Sequence, residues 1–181
     1  MTDPDAAVAA FDTLPPHEAA PMLQTCCGST AWVNGMLVRR PFTTLHVLLR
    51  AAEHLWWDLT PDDWREAFEH HPRIGERTAA VAQGDTSRTW STDEQSGASS
   101  AAEDTRRLLA EGNREYERRF GHIYLVCATG KTGDEMLALL RERMRNDPEI
   151  ELRVAAGEQA KITRLRLVKM FAGDPLAVST E

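Results

Sequence analysis

Along most of the chain the apolar residues recur at helical spacing, separated by short polar breaks. Residues 5–27 predict one or two short helices broken at Pro15-Pro16, with Leu14, Met22, Leu23 and Cys26 as core candidates. Gly28-Ser29 ends that piece, and Ser29 can cap a segment holding Trp32, Met36 and Leu37. After a break at Arg40-Pro41, Thr43 or Thr44 opens a stronger helix whose Leu45, Leu48, Leu49, Ala52 and Trp56 share one face. Thr60 next suits an N-cap, Pro61 the first helical position, and Asp62 and Asp63 the positive end of the helix dipole. Trp64, Ala67 and Phe68 form the apolar face of this short helix.

His70-His71-Pro72-Arg73-Ile74-Gly75-Glu76 follows. Pro72 stops the helix and biases His71 away from the α region, so His71 is presented near a helix C-terminus, where the dipole favours imidazolium. That placement suits either a C-capping histidine or an acid/base group.

Residues 77–100 change in character, being rich in Thr, Ser, Gly, Asp and Gln, and the part at about 77–90 predicts a polar surface loop. Ser91 and Glu94 then form a Ser-x-x-Glu capping box, which starts a helix and also gives Glu94 a purely structural use. Ala101, Thr105, Leu108, Leu109, Gly112, Tyr116 and Phe120 continue that helix, and Gly121 stops it.

His122-Ile123-Tyr124-Leu125-Val126-Cys127-Ala128 is the one β-like run. A lone strand has no evident partner, so an extended segment packed between helices is expected, with backbone amides free to bind something other than a strand. Thr132 and Glu135 form a second capping box, opening a helix through Met136, Leu139, Leu140 and Met144. Asp147-Pro148 begins the last helix, which runs to about Phe171 and is closed by Gly173. On it Leu152, Ala155, Ala156, Gln159, Ile162 and Met170 share a face, and Arg166 falls within that stripe. An inward arginine needs an anion or a set of acceptors. Those are either a core carboxylate such as Glu53 or Glu94, or a substrate anion.

The fold expected is all-α, a single multi-helix domain over 1–181 with its core at about 10–171 and short flexible tails. A net charge of −7 without a long basic block argues against nucleic acid as a partner. No apolar run approaches the ~20 residues that span a bilayer, and the acidic N-terminus lacks the basic region of a signal peptide. Three cysteines, Cys26, Cys27 and Cys127, lack any Cys-x-x-Cys, so a reducing cytoplasm fits best. Arg and Glu are interleaved throughout, which predicts solvated helix faces.

Candidate chemistry narrows by elimination. His46 and His54 are too far apart on their helix to share a metal, and no His-Glu-x-x-His occurs. Gly75, Gly84 and Gly97 make no phosphate cradle, and no nucleophile elbow surrounds Ser91. A histidine, a carboxylate, hydroxyl and amide side chains and an inward arginine remain. Such a set can carry out cofactor-free proton transfer on a small, oxygen-rich anion.

His71-Pro72-x-Ile74-Gly75, Trp90-Ser91-x-x-Glu94-Gln95, Asn113-x-x-Tyr116-x-x-x-Phe120-Gly121 and the run Lys161 to Leu167 together resemble the 2-oxo-4-hydroxy-4-carboxy-5-ureidoimidazoline (OHCU) decarboxylase family. Cys26-Cys27-Gly28-Ser29 and Arg40-Pro41-Phe42 extend the resemblance over most of residues 10–171. The segment between Gly75 and Ser91 departs from it by being longer and more polar. The resemblance implies an all-helical homodimer without metal or organic cofactor, forming (S)-allantoin and CO2 in urate degradation. It places the catalytic histidine on His71 and the carboxylate on Glu94. Substrate-binding positions fall on Pro72, Ser91, Thr92, Asp93, Gln95, Tyr124, Leu125, Val126, Cys127, Ala128 and Arg166. A competing expectation is a non-catalytic helical module that binds a ureide or a protein and has kept the pocket.

Overall fold

Side-chain oxygens at helix starts organise the chain. The computed structural model describes residues 3–74 and 95–173, with the side chains of 95–101 outside that description. Among these residues lie eight helices: α1 (Pro4–Asp12), α2 (Pro16–Cys26), α3 (Thr30–Val38), α4 (Leu45–Asp58), α5 (Pro61–Glu69), α6 (Gln95–Phe120), α7 (Gly133–Arg143) and α8 (Pro148–Ala172). No strand occurs among the described residues, and the fold is all-α, as expected.

The expected caps are formed. Ser29 accepts from the Trp32 amide, Thr60 caps α5 and Thr132/Glu135 makes a reciprocal capping box, while Asp63, expected only at the positive end of the dipole, completes a second box with Thr60. Thr44, not Thr43, caps α4. Thr43 instead has a left-handed backbone (φ 65°), and its amide donates to Asp12 Oδ2 at 2.9 Å. Gly121 and Gly173 end α6 and α8 with φ of 76° and 85°, values an L side chain rarely adopts. The Ser91–Glu94 box lies outside the described residues.

The described chain forms two compact units, one from the residues up to His70 together with those from Ala156, the other His71–Ala155. In the first unit, Phe11, Leu23, Trp32, Met36, Leu48 and Trp56 are among the fully covered side chains. Every buried indole there reaches a carbonyl: Trp32 that of Ala52 (3.1 Å), Trp56 that of Ala156 (2.9 Å) and Trp64 that of Trp56 (2.9 Å). Large apolar rings are thereby buried without an unpaired N–H. Leu14, Met22, Leu37 and Leu45 are only half-buried, whereas Val8, Phe11 and Leu55 are buried. Leu45 opens α4, so no preceding helical turn covers it. The Arg40-Pro41-Phe42 turn is clamped onto the end of α1. Arg40 donates to the Leu14 carbonyl at 2.7 Å, and Asp12 accepts from the Phe42 amide at 2.8 Å.

On α8 the buried line after Gln159 advances in steps of four through Thr163, Leu167 and Phe171. Ile162, Arg166 and Met170 therefore stand one position aside and half-buried, at the edge of the stripe on which the sequence places them.

The second unit packs Ile74, Leu109, Tyr116, Tyr124, Val126, Met136, Leu137 and Leu140 together. Beside this cluster lies a buried charge pair that interleaved Arg and Glu do not predict. Arg143 donates from Nε to Glu151 at 2.7 Å and from a terminal nitrogen at 2.6 Å, with both side chains buried. Glu151 also accepts from the Tyr116 hydroxyl and from Asn146 Nδ2 at 2.7 Å, and Arg143 donates to the Leu125 carbonyl at 2.7 Å. Burial pushes the Tyr116 phenol well above its usual range, and the neighbouring Glu151 adds to the shift against the opposing pull of Arg143. The hydroxyl therefore stays protonated and serves as a donor.

Because a buried charge that loses its counterion is costly, Glu151→Ala is expected to lower unfolding free energy by about 3–5 kcal/mol. Urea denaturation reads this directly. A loss below about 1 kcal/mol, the size of an exposed pair, would show that the network carries little.

Candidate active site

α5 ends at Glu69, and His70 occupies the C-cap with φ −84° and ψ 8°, its amide reaching the Ala67 and Phe68 carbonyls. The C-capping histidine is therefore His70, and His71 follows it. The His70 ring is set from two sides. Its Nδ1 lies 3.1 Å from the Glu66 carbonyl, and a Cβ built on Gly28 would sit 2.4 Å from its Cγ. Only glycine leaves room at position 28. Glu66 in turn accepts from the Thr30 amide at 3.1 Å and hydroxyl at 2.6 Å, tying the start of α3 to the last turns of α5.

His71 itself is half-buried, with Nε2 shielded from solvent. Pro72 and Arg73 are exposed, and Ile74 is buried in the second unit's apolar cluster. Arg73 forms a two-pronged ion pair with Glu117 of α6, at 2.6 Å from Nε and 3.2 Å from a terminal nitrogen. The turn that carries His71 is thus pinned to α6 by one apolar and one charged contact.

The 122–127 stretch is extended and buried without being a strand. Three of its backbone groups are held by side chains from elsewhere in the unit. The Tyr124 amide donates to Asn113 Oδ1 at 2.8 Å, and the Leu125 and Cys127 carbonyls accept from Arg143 and from Lys131 Nζ (2.9 Å). Asn113 is itself buried, and its Nδ2 faces Glu117 at 3.4 Å. The expectation of free amides does not hold at Tyr124, because helix α6 supplies an acceptor one turn from Glu117. Leu125, Val126 and Cys127 are buried, and Ala128 is half-buried.

Arg166 belongs to the first unit. One of its terminal nitrogens donates to the Thr25 and Cys26 carbonyls, at 3.2 and 3.5 Å. These close the last turn of α2, where carbonyls lack intrahelical partners. Of the two core carboxylates considered from the sequence, Glu53 is exposed and Glu94 lies outside the described residues. A guanidinium carries five donors in a planar fork, so two bonds from one nitrogen do not consume it. Cys26 leads, through Cys27 and Gly28, to the contact with His70. Within the first unit the arginine and the residue before His71 are therefore set by one short turn. Ser91, Thr92 and Asp93 also lie outside the described residues, and Gln95 is placed only as the opening residue of α6.

Sequence reading missed Glu151, Arg143 and the bracing use of Asn113 and Glu117. Glu151 had a visible signal, since it lies one four-residue step before Ala155 and Gln159 on the inward face of α8. Among the described residues, no group of three or more His, Cys, Asp or Glu is placed to hold a metal ion, and no helix is long and apolar enough to cross a membrane.

An all-helical protein with a His-Pro turn braced on one helix and an arginine at the end of another is the class these observations define. Residues 12–168 match the sequence profile of the OHCU decarboxylase family. The chain belongs to that family. It is similar to the uric acid degradation bifunctional protein TTL of Arabidopsis thaliana, with 34% identity over 156 residues that cover 86% of this chain and 48% of that protein. The chain thus spans about half the length of that relative. It is also 35% identical over 77 residues to the OHCU decarboxylase of Mus musculus, covering 42% of this chain and 43% of that one. Among solved structures, an OHCU decarboxylase crystallised in the presence of (S)-allantoin superposes with a TM-score of 0.67 at 34% identity, covering 82% of this chain and 96% of that chain. An (S)-allantoin synthase, with a TM-score of 0.64 at 20% identity over 91% of this chain and 54% of that chain, shares the fold.

Gly28→Ala is expected to cost about 1–3 kcal/mol by overpacking against His70. His70→Gly in the same chain, which removes every His70 side-chain atom the new Cβ would meet, should recover most of that loss in a thermal melt; no recovery would place the strain elsewhere. Burial raises the Cys26 and Cys27 thiols to about 11. At pH 8 only about one thiol in a thousand is then thiolate, the nucleophilic form. Iodoacetamide should leave both unmodified in the native protein and label both in urea, as read by peptide mass spectrometry. Labelling of the native chain at a free-thiol rate would contradict the burial.

Proposed function

We propose that this chain decarboxylates OHCU to (S)-allantoin and CO2 in urate degradation, as a carboxy-lyase without metal or organic cofactor. The observation that carries this reading is the family match over residues 12–168, joined to 34% identity with an OHCU decarboxylase structure over most of both chains.

The chemistry asks for two things. Breaking the bond to CO2 leaves an electron pair on the ring carbon, and stabilising that charge is the main catalytic task. A proton must then reach the same carbon from one face, which sets the (S) configuration. His71 is the proton donor in this reading. Its shielded Nε2 and its place just beyond the α5 cap support that role. Arg166 takes the substrate's anionic group, supported by a guanidinium that is half-buried and anchored through a single nitrogen. Glu94, Ser91, Thr92, Asp93 and Gln95 orient the hydroxyl and ureido groups, beside Pro72. The backbone from Leu125 to Ala128 is assigned to the substrate by the family resemblance, with the Tyr124 amide engaged by Asn113 and Tyr124 contributing as the anchor of that segment. A homodimer belongs to the proposal on the strength of the family resemblance. The three free, buried cysteines support a reducing cytoplasm.

The test supplies freshly oxidised urate and 5-hydroxyisourate hydrolase, with and without the protein, and follows circular dichroism. A signal of (S)-allantoin that depends on the protein is expected. His71→Asn should lower kcat by about 100-fold or more with KM little changed, the usual scale of a positioned general acid. A flat trace with folded wild-type protein would overturn the decarboxylase reading and favour a non-catalytic binding module.

A further inference from the structure

Glu117 and Asn113 stand one turn apart on α6, so their side chains share a face. Each meets a segment that has no regular secondary structure of its own. Glu117 takes both prongs of Arg73, two residues beyond His71. Asn113 takes the amide of Tyr124, at the head of the extended stretch. The two are joined by the 3.4 Å contact from Asn113 Nδ2 to Glu117 Oε1. All the donors point towards the one carboxylate: Tyr124 N–H to Asn113, and Asn113 and Arg73 to Glu117. Hydrogen bonds in such a chain polarise one another, and here the chain ends on a compensated charge.

We propose that Asn113 and Glu117 are positioning residues that set the His71 turn and the Tyr124–Ala128 backbone in register with each other. The proposal rests on reading His71 as the proton donor. An apolar pair at these two positions would satisfy the packing of α6 but could hold neither segment, since Arg73 and the Tyr124 amide each need an acceptor. Arg73 is half exposed, and exposed ion pairs add little to stability. The effect of the Arg73–Glu117 pair is therefore on placement. Proton delivery is sensitive to it: a shift of about 1 Å in a reacting group can cost on the order of 100-fold in rate.

The test is a double-mutant cycle on the full chain with OHCU generated from urate in the assay. Arg73→Gln and Glu117→Gln are each expected to lower kcat about tenfold, with KM within about twofold and the thermal midpoint nearly unchanged. The double variant should be no worse than the poorer single, because both changes break one bond. Unchanged kcat, losses that multiply in the double variant, or a kcat loss that only tracks unfolding would each overturn the proposal. Asn113→Ala, which removes both the acceptor for the Tyr124 amide and the donor to Glu117 without adding a charge, should lower kcat per folded molecule at least as far as Glu117→Gln. Wild-type turnover in Asn113→Ala would remove Asn113 from the brace. His71→Asn, run alongside, separates the two readings. If it is inactive while the Arg73 and Glu117 variants are normal, the brace alone fails. If it turns over normally, the proton-donor reading fails and the brace falls with it.

Discussion

The buried pair of Arg143 and Glu151 is the interaction on which the second unit depends. An extended segment inside a helical protein has no neighbouring strand to satisfy its backbone, so each polar group must find a side chain. Arg143 supplies one by donating to the Leu125 carbonyl, and Glu151 holds Arg143 in place by two short contacts. Tyr116 and Asn146 complete the carboxylate's shell. Charge so deeply buried is tolerated because each nitrogen of the guanidinium and each oxygen of the carboxylate makes a hydrogen bond. The network ties α6, the extended segment, α7 and the first turn of α8 to one another.

The first unit solves a related problem at its helix ends. Arg40 and Asp12 close α1, Glu66 opens α3, and Arg166 meets the last carbonyls of α2. Short helices leave a large share of their backbone groups unpaired, so α1, α2 and α3, of nine, eleven and nine residues, need many such contacts. Two of them flank the Cys26–Ser29 turn, with Arg166 before it and Glu66 just after it. That turn is also where Gly28 meets His70. Arg166, proposed to take the substrate's anionic group, thus also has a structural use at the end of α2.

Family membership and local geometry bear on different parts of the proposed function. The match over residues 12–168 says what kind of reaction to expect. The described geometry says how His71 would be held: beyond a cap occupied by His70, and ahead of an arginine and an isoleucine anchored on α6.

The sequence by itself determined the helices and their ends, because caps, prolines and terminal glycines act within a few residues of where they stand. Ser29, Thr60, Thr132/Glu135, Gly121 and Gly173 all do in the structure what their local chemistry predicts. The His-Pro turn and the extended 122–127 segment were legible for the same reason. Only the tertiary structure decided which side chains on those elements meet. Glu151 lies on the inward line of α8, yet nothing local names Arg143, eight residues earlier on another helix, as its partner. Asn113 finds Tyr124 eleven residues away, Glu117 finds Arg73 across forty-four, and Arg166 finds Thr25 across 141. Partners so far apart are chosen by how helices pack, a property of the whole chain that no short window of residues contains.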